Sequence, residues 1–294
     1  MHSVVEDMLQ KYDCTKPDRY KNALKEVIQE IALLGLFRGG FFDRAAFYGG
    51  TALRIFYGLD RFSQDLDFSL LEPDRRFKID LYCDHVESEL HAYGFQVKVS
   101  SKKKTSSSKV ESAFIKGGTM INMMQVKTVN PPVSGVHPDE LLTIKLEVDV
   151  DPPPRATYEL KHQLMPIPYT VRLYSQSSLF AGKLHAILCR NWRSGRTKGR
   201  DLYDYVWYLA HSIPADLEHL QERMVQTGHW QKGKKFTEQD LRVMLDKRFR
   251  AIDYSQANQD VIPYITNLSA LDLWSAEFFG SITNDKLAIL PRPE

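Results

Sequence analysis

The sequence predicts an α/β (α+β) protein, a mixed sheet with flanking helices followed by an α-helical domain, and three observations carry that prediction. Apolar residues alternate with period two in several segments before residue 174. Helical periodicity alone runs from Ser178 onward, and a glycine pair separates a short apolar run from a helix. The first helical signal is Tyr20 to Phe37, where Leu24, Val27, Ile28, Ile31, Leu34 and Leu36 recur near helical spacing before Gly39-Gly40 ends the run. Ala45 to Tyr48 reads as a short strand, Gly49-Gly50 as a turn with free N–H groups, and Thr51 to Tyr57 as a helix start. Leu66-Asp67-Phe68-Ser69-Leu70 is a strand, Phe77 to Tyr93 a helix closed by Gly94, and Phe95 to Ser100 opens a series of strands. That series continues through Ser112 to Ile115, Met120 to Val126, Leu142 to Val150, Tyr158 to Met165 and Tyr169 to Leu173. Helices then follow over Leu179 to Arg190, capped by Ser178, and over Leu202 to His211, Asp216 to Thr227, Thr237 to Ala251, Ser255 to Ile265 and Leu271 to Ile282. A boundary near Tyr174 divides the chain into a first domain over 1–174 and a helical domain over 175–294.

Composition narrows the class. With 294 residues, 43% hydrophobic and 26% charged, the chain can bury a core in about two domains. A net charge of +2 gives no strong overall field toward nucleic acid, so any such affinity must come from local clusters. Two basic stretches qualify. One is Lys102 to Lys104 with Lys98 and Lys109, by composition a flexible hairpin tip; the other is Arg190, Arg193, Arg196, Lys198 and Arg200 with Trp192 interleaved, where arginine and an aromatic could hold phosphates and stack bases. Either is also what a solvated loop looks like. Cys14, Cys83 and Cys189 are odd in number and lack metal-ligand spacing, which points to reduced thiols. His185, His211 and His229 likewise read as structural or surface residues, and Trp207, Tyr208, Phe278 and Phe279 as helical core. No signal peptide and no run of about eighteen apolar residues is present, so a cytoplasmic location is expected.

The chemistry concentrates between Gly49 and Phe68. Strand side chains repeat every two residues, so Asp65 and Asp67 leave one face together, and paired carboxylates beside a phosphate-binding turn suit Mg²⁺ (or Mn²⁺) with a nucleoside triphosphate. In Leu142 to Val150, Ile144, Leu146, Val148 and Val150 take one face while Lys145, Glu147 and Asp149 take the other, which could aim a further carboxylate at that pair. A solvated charged edge would show the same alternation.

Gly49-Gly50-Thr51-Ala52-Leu53, followed by Arg61-Phe62-Ser63-Gln64-Asp65-Leu66-Asp67-Phe68, resembles the signature of the AbiEii/AbiGii-type nucleotidyltransferase toxins, a branch of the DNA polymerase β-like nucleotidyltransferase superfamily. Lys183, and Arg200-Asp201-Leu202-Tyr203-Asp204, look like that family's later motifs. The resemblance implies a polymerase β-like sheet, with the helical domain completing the NTP and acceptor site. It implies Asp65, Asp67, Glu147, Lys183 and Asp201 as catalytic residues, and Gly49, Gly50, Thr51, Arg61, Ser63 and Lys183 as nucleotide-binding ones. Metal would be held by Asp65, Asp67 and Glu147, with Asp149 as second choice for the third carboxylate. The implied activity is Mg²⁺-dependent transfer of an NMP from an NTP to an acceptor, with the tRNA 3′ end favoured, by the toxin half of a toxin–antitoxin or abortive-infection phage-defence pair. Its implied partners are NTP, an RNA acceptor (tRNA) and a cognate antitoxin or its regulatory action. The alternatives are a protein-NMPylating enzyme and a non-catalytic nucleotide- or RNA-binding protein of the same fold.

Overall fold

A computed structural model describes residues 2–101, 119–127, 141–190 and 198–291. Two helices, α1 (Ser3–Leu9) and α2 (Pro17–Arg38), precede strand β1 (Ala45–Tyr48), helix α3 (Gly49–Tyr57) and strand β2 (Leu66–Leu70). Helix α4 (Asp80–Ala92) leads to strands β3 (Gln96–Ser101), β4 (Thr119–Lys127), β5 (Leu141–Asp149), β6 (Tyr158–Gln163) and β7 (Tyr169–Tyr174). The remaining helices are α5 (Gln176–Cys189), α6 (Gly199–Ala210), α7 (Leu217–Gln226), α8 (Glu238–Arg250), α9 (Tyr254–Val261) and α10 (Ala276–Lys286). None of the described helices is long and apolar enough to cross a membrane.

The chain divides into two compact units. One comprises Met1–Gly58, Phe62–Pro152 and Glu159–Leu173; the other comprises Leu59–Arg61, Pro153–Tyr158 and Tyr174–Glu294. The sheet has seven described strands in the order β3-β4-β5-β2-β1-β7-β6. Its pairing is mixed: β1 runs antiparallel to β2 and parallel to β7, β2 parallel to β5, and β4 antiparallel to β3 and β5.

Period-two alternation sorts the two faces of these strands. Ala45 and Phe47 of β1, Leu66, Phe68 and Leu70 of β2, and Leu142, Ile144, Leu146 and Val148 of β5 join the apolar side of α2 in one core. Phe41 stands edge-on to Phe68 with centroids 4.9 Å apart, and Phe47 lies 5.1 Å from Phe68, so aromatic packing centres on β2. The opposite face is therefore left to Tyr48, Asp67, Ser69, Glu147 and Asp149.

Strand β6, an edge of the described sheet, has inverted polarity. Glu159, Lys161 and Gln163 are half-buried, while Leu160 is 61% exposed and Leu164, just beyond the strand, 67%. Inward polar groups find partners: Tyr57 donates to Glu159 at 2.7 Å, and Gln163 donates to Glu30 at 2.8 Å.

Several boundaries differ from the sequence reading. Helix α4 starts at Asp80 rather than Phe77, which stacks its ring on Tyr82 instead. The predicted Leu271 to Ile282 helix begins at Ala276, capped by Ser275, after a single-turn helix over Leu268–Leu271. Ser178 does not cap α5. Ser175 does, accepting from the Ser178 N–H, and Ser178 is buried inside the first turn, donating to Asp216 at 3.1 Å and accepting from the Thr157 N–H at 3.0 Å. Helix α1 has no counterpart in the sequence reading, because seven residues carry too short a periodic signal. The expected strand Ser112 to Ile115 lies outside the described residues, as do Lys102 to Lys104, Lys109, Trp192, Arg193 and Arg196.

Candidate active site

In the first unit, the β1–α3 turn meets the polar face of β2 and β5. Gly49 adopts φ 80°, a left-handed conformation that glycine takes without steric cost. A Cβ at Gly49 would overlap Asp67 Oδ2 and come within 3.0 Å of Asp67 Cβ, so the missing side chain is the seat of that carboxylate. Asp67 pairs across the sheet with Tyr48 on one side and Glu147 on the other. Because β2 and β5 are parallel and in register there, Asp67 and Glu147 leave the same face on strands about 4.8 Å apart. Asp149 sits two pairs further on, opposite Ser69; it is 3% exposed and accepts the Asp151 N–H at 3.1 Å. Register therefore puts Glu147, not Asp149, beside Asp67.

Asp65 directly precedes β2 and is half-buried. Its approach is fixed from two directions. The buried Thr51 hydroxyl of α3 lies 2.8 Å from Ser63 Oγ and also bonds the Asp65 carbonyl, while Gln29 Nε2 of α2 donates to the Gln64 carbonyl at 2.9 Å. Thr51 and Ser63 thus fasten the loop to the helix through their side chains. Lys145, one residue pair from Glu147 on the same face of β5, forms an ion pair with it. Two or three carboxylates on one face, with the room that Gly49 leaves, suit a hard divalent cation.

The second unit contains a charge cluster. Arg61 is 3% exposed and donates through Nε and Nη2 to the two oxygens of Asp204, at 2.6 and 2.7 Å. That bidentate fork is the strong geometry for a guanidinium and a carboxylate. Lys183 Nζ on α5 lies 2.7 Å from both Asp201 and Asp204 on α6, and Arg190 donates to Asp201 at 2.5 Å. Among the described residues, three cations, Arg61, Lys183 and Arg190, meet two carboxylates here. Burial pushes the Asp201 carboxyl up, but the charges of Lys183 and Arg190 outweigh it and hold the pKa below the ordinary carboxylate value.

Sequence reasoning named Lys183 and Asp201, whose ion pair the structure forms, and saw Asp204 as a member of the same motif without giving it a role. Arg61 was expected at the nucleotide, whereas its guanidinium is buried on Asp204. Of the second basic stretch, Arg190 and Arg200 are engaged with acids, Arg200 lying 3.4 Å from Asp260 and 4.6 Å from the Tyr264 ring centre.

The sequence of this chain matches the model of a family described as nucleotidyl transferase AbiEii toxin, type IV TA system, over residues 31–277. No curated protein matches it. Among solved structures it is similar in fold to MenT4, a nucleotidyltransferase toxin of Mycobacterium tuberculosis, with a TM-score of 0.58 and 18% identity over 97% of this chain and 90% of that one. It is also similar to JHP933 of Helicobacter pylori, with a TM-score of 0.52 and 20% identity over 90% of each chain. A glycine turn seated on Asp67, the register that brings Glu147 to it, and a family match spanning most of the length agree: the chain belongs to the AbiEii nucleotidyltransferase toxin family of type IV toxin–antitoxin systems.

Proposed function

We propose that this nucleotidyltransferase moves an NMP from an NTP to the 3′ end of a tRNA and acts as the growth-inhibiting half of a toxin–antitoxin or phage-defence pair. The observation that carries the reading is the carboxylate pair Asp67 and Glu147 beside a helix N-terminus whose first residue, Gly49, has no side chain. Triphosphate binds at the β1–α3 turn, where the N–H groups of Gly49 and Gly50 and the positive end of the helix dipole face the anion.

Asp65, Asp67 and Glu147 would hold the divalent ion, with Asp149, two residues further along β5 and 3% exposed, the second choice for the third carboxylate. Magnesium, or manganese, when bound there supplies charge neutralisation for the triphosphate and its reacting phosphoryl group. The acceptor hydroxyl oxygen forms a bond to the α-phosphorus, the bond from that phosphorus to the bridging oxygen breaks, and pyrophosphate departs. Glu147, which forms an ion pair with Lys145, receives the hydroxyl proton. For Lys183 the role favoured is a contact to phosphate, with Asp201 positioning the ammonium. For Arg61 we favour holding Asp204 over contacting phosphate, since a phosphate contact would leave a buried carboxylate with one cation fewer.

The test is direct. Purified protein with Mg²⁺, each α-labelled NTP in turn and total tRNA is expected to release pyrophosphate and label RNA. Label on protein would move the acceptor to a polypeptide, and no label on either would refute nucleotidyl transfer to these acceptors.

A further inference from the structure

His185 and Cys189 stand four residues apart on α5, so their side chains leave one face of that helix. His229 reaches the same place from beyond α7. Gly228 takes φ 75° after the helix, and the His229 N–H bonds the Met224 carbonyl at 2.8 Å, so a left-handed helix cap sets where His229 begins. One ligand atom from each of the three residues lies within 4.8 Å of the other two.

Thr227 orients both rings. Its hydroxyl donates to the Arg223 carbonyl at 2.9 Å and lies 2.9 Å from His185 Nε2 and 3.0 Å from His229 Nδ1. A hydroxyl that gives its proton to a carbonyl accepts from both rings. Each imidazole then keeps a bare lone pair on its other nitrogen, the form a metal needs.

We propose that His185, Cys189 and His229 bind one zinc ion, with a fourth position open to solvent on the exposed His229 side. Two imidazoles and a thiolate are a borderline-soft donor set, suited to Zn²⁺ and unsuited to Mg²⁺. This selectivity is opposite to that of the three carboxylates in the first unit.

The surroundings fit. Zinc would form its bond to the Cys189 sulfur as the S–H bond breaks, and one proton would pass to solvent. Two of the nearby cations are committed elsewhere: Arg190 to Asp201, and Arg248 to the Ile187 carbonyl at 2.7 Å. Bound zinc would clip the last turn of α5 to the cap of α7.

Cobalt(II) reports on this site, because a cobalt–thiolate bond absorbs in the near ultraviolet and a cobalt–carboxylate bond does not. Metal-free full-length protein titrated with Co²⁺ is expected to develop that band to saturation at one ion per chain. Stoichiometric Zn²⁺ should abolish it and excess Mg²⁺ should leave it unchanged. Cys189→Ser should lose the band, and His229→Gln, at an exposed position where folding is least at risk, should bind at least ~10-fold more weakly. Thr227→Val should also weaken binding by roughly 10-fold. Absence of the band in the wild-type protein, its survival in Cys189→Ser, or unchanged affinity in His229→Gln overturns the proposal, whatever the outcome of the nucleotidyl-transfer assay.

Discussion

A methyl group at position 49 would meet the Asp67 carboxylate and would also hold an L-residue at φ 80°, and these two penalties separate by experiment. In the wild-type background Gly49→Ala suffers both. In an Asp67→Ala background the overlap is gone and only the backbone strain, roughly 1–2 kcal/mol, remains. The double-mutant cycle in urea is therefore expected to show coupling of about 1 kcal/mol or more, and strictly additive effects would mean the two residues do not touch. Asp67→Ala alone should lower nucleotidyl transfer by orders of magnitude while the melting temperature is kept. Transfer near the wild-type rate would remove Asp67 from the site. Lys183→Ala should raise the NTP concentration required and slow turnover, because it removes one cation of the cluster. Lys183→Arg should restore only part, since a planar fork cannot replace a compact ammonium held between two carboxylates. Unchanged KM and kcat in Lys183→Ala would end the phosphate assignment.

Among elements, what the sequence made legible follows from periodicity and what it hid follows from register. Alternation in β2 and β5 is a local property, so Asp67 could be put on one face of its strand, and Glu147 with Asp149 on one face of theirs, before any fold was known. The choice between Glu147 and Asp149 depends on how β2 slides against β5, which no residue of either strand announces. Thr51 and Ser63 were visible as polar residues of the motif, but their mutual contact requires α3 to turn back on the loop. Arg61 and Asp204 are separated by 143 residues, and each has a plausible local role, as a phosphate contact and as a helix-start acid. The fold gives them to each other. Removing one partner from such a buried pair strands the other charge, so Asp204→Ala should cost roughly 3–5 kcal/mol of stability by chemical denaturation. Arg61→Ala should likewise lower the melting temperature far more than it raises the NTP requirement. An Arg61→Ala protein of normal stability and poor NTP affinity would return Arg61 to the nucleotide. The His185 and Cys189 spacing was open to view as well, but its third member comes from a cap some forty residues on.

For the whole molecule, acid should act in two stages. The imidazoles of His185 and His219 are held neutral by burial, the first with its pKa lowered from an ordinary 6.5 to about 3, the second lowered despite its bond to the Pro154 carbonyl. Below pH 6.5 the unfolded chain takes up protons that the native state refuses, so stability present above that pH is lost as pH falls toward 3. Asp201 is depressed as well, so its contribution, full above the ordinary carboxylate value of 3.8, is lost last as pH falls through its lower native pKa. Urea midpoints measured from pH 8 to pH 4 are expected to decline steadily below pH 6.5, and His185→Gln should flatten that slope. A midpoint indifferent to pH over this range would contradict the burial of both rings.

The inverted polarity of β6 also governs how concentrated solutions of the protein behave. An edge strand of the described sheet that shows Leu160 to water, with Leu164 beside it, offers an apolar strip to another copy. Light scattering should then rise faster than linearly with protein concentration, and heating should end in aggregates that do not redissolve. A single lysine placed outward, Leu160→Lys, interrupts the strip with a charge at no cost to the buried side. It should raise the solubility limit and make thermal unfolding more nearly reversible, with nucleotidyl transfer unaffected. Equal scattering from both proteins would show that the strand edge is already protected.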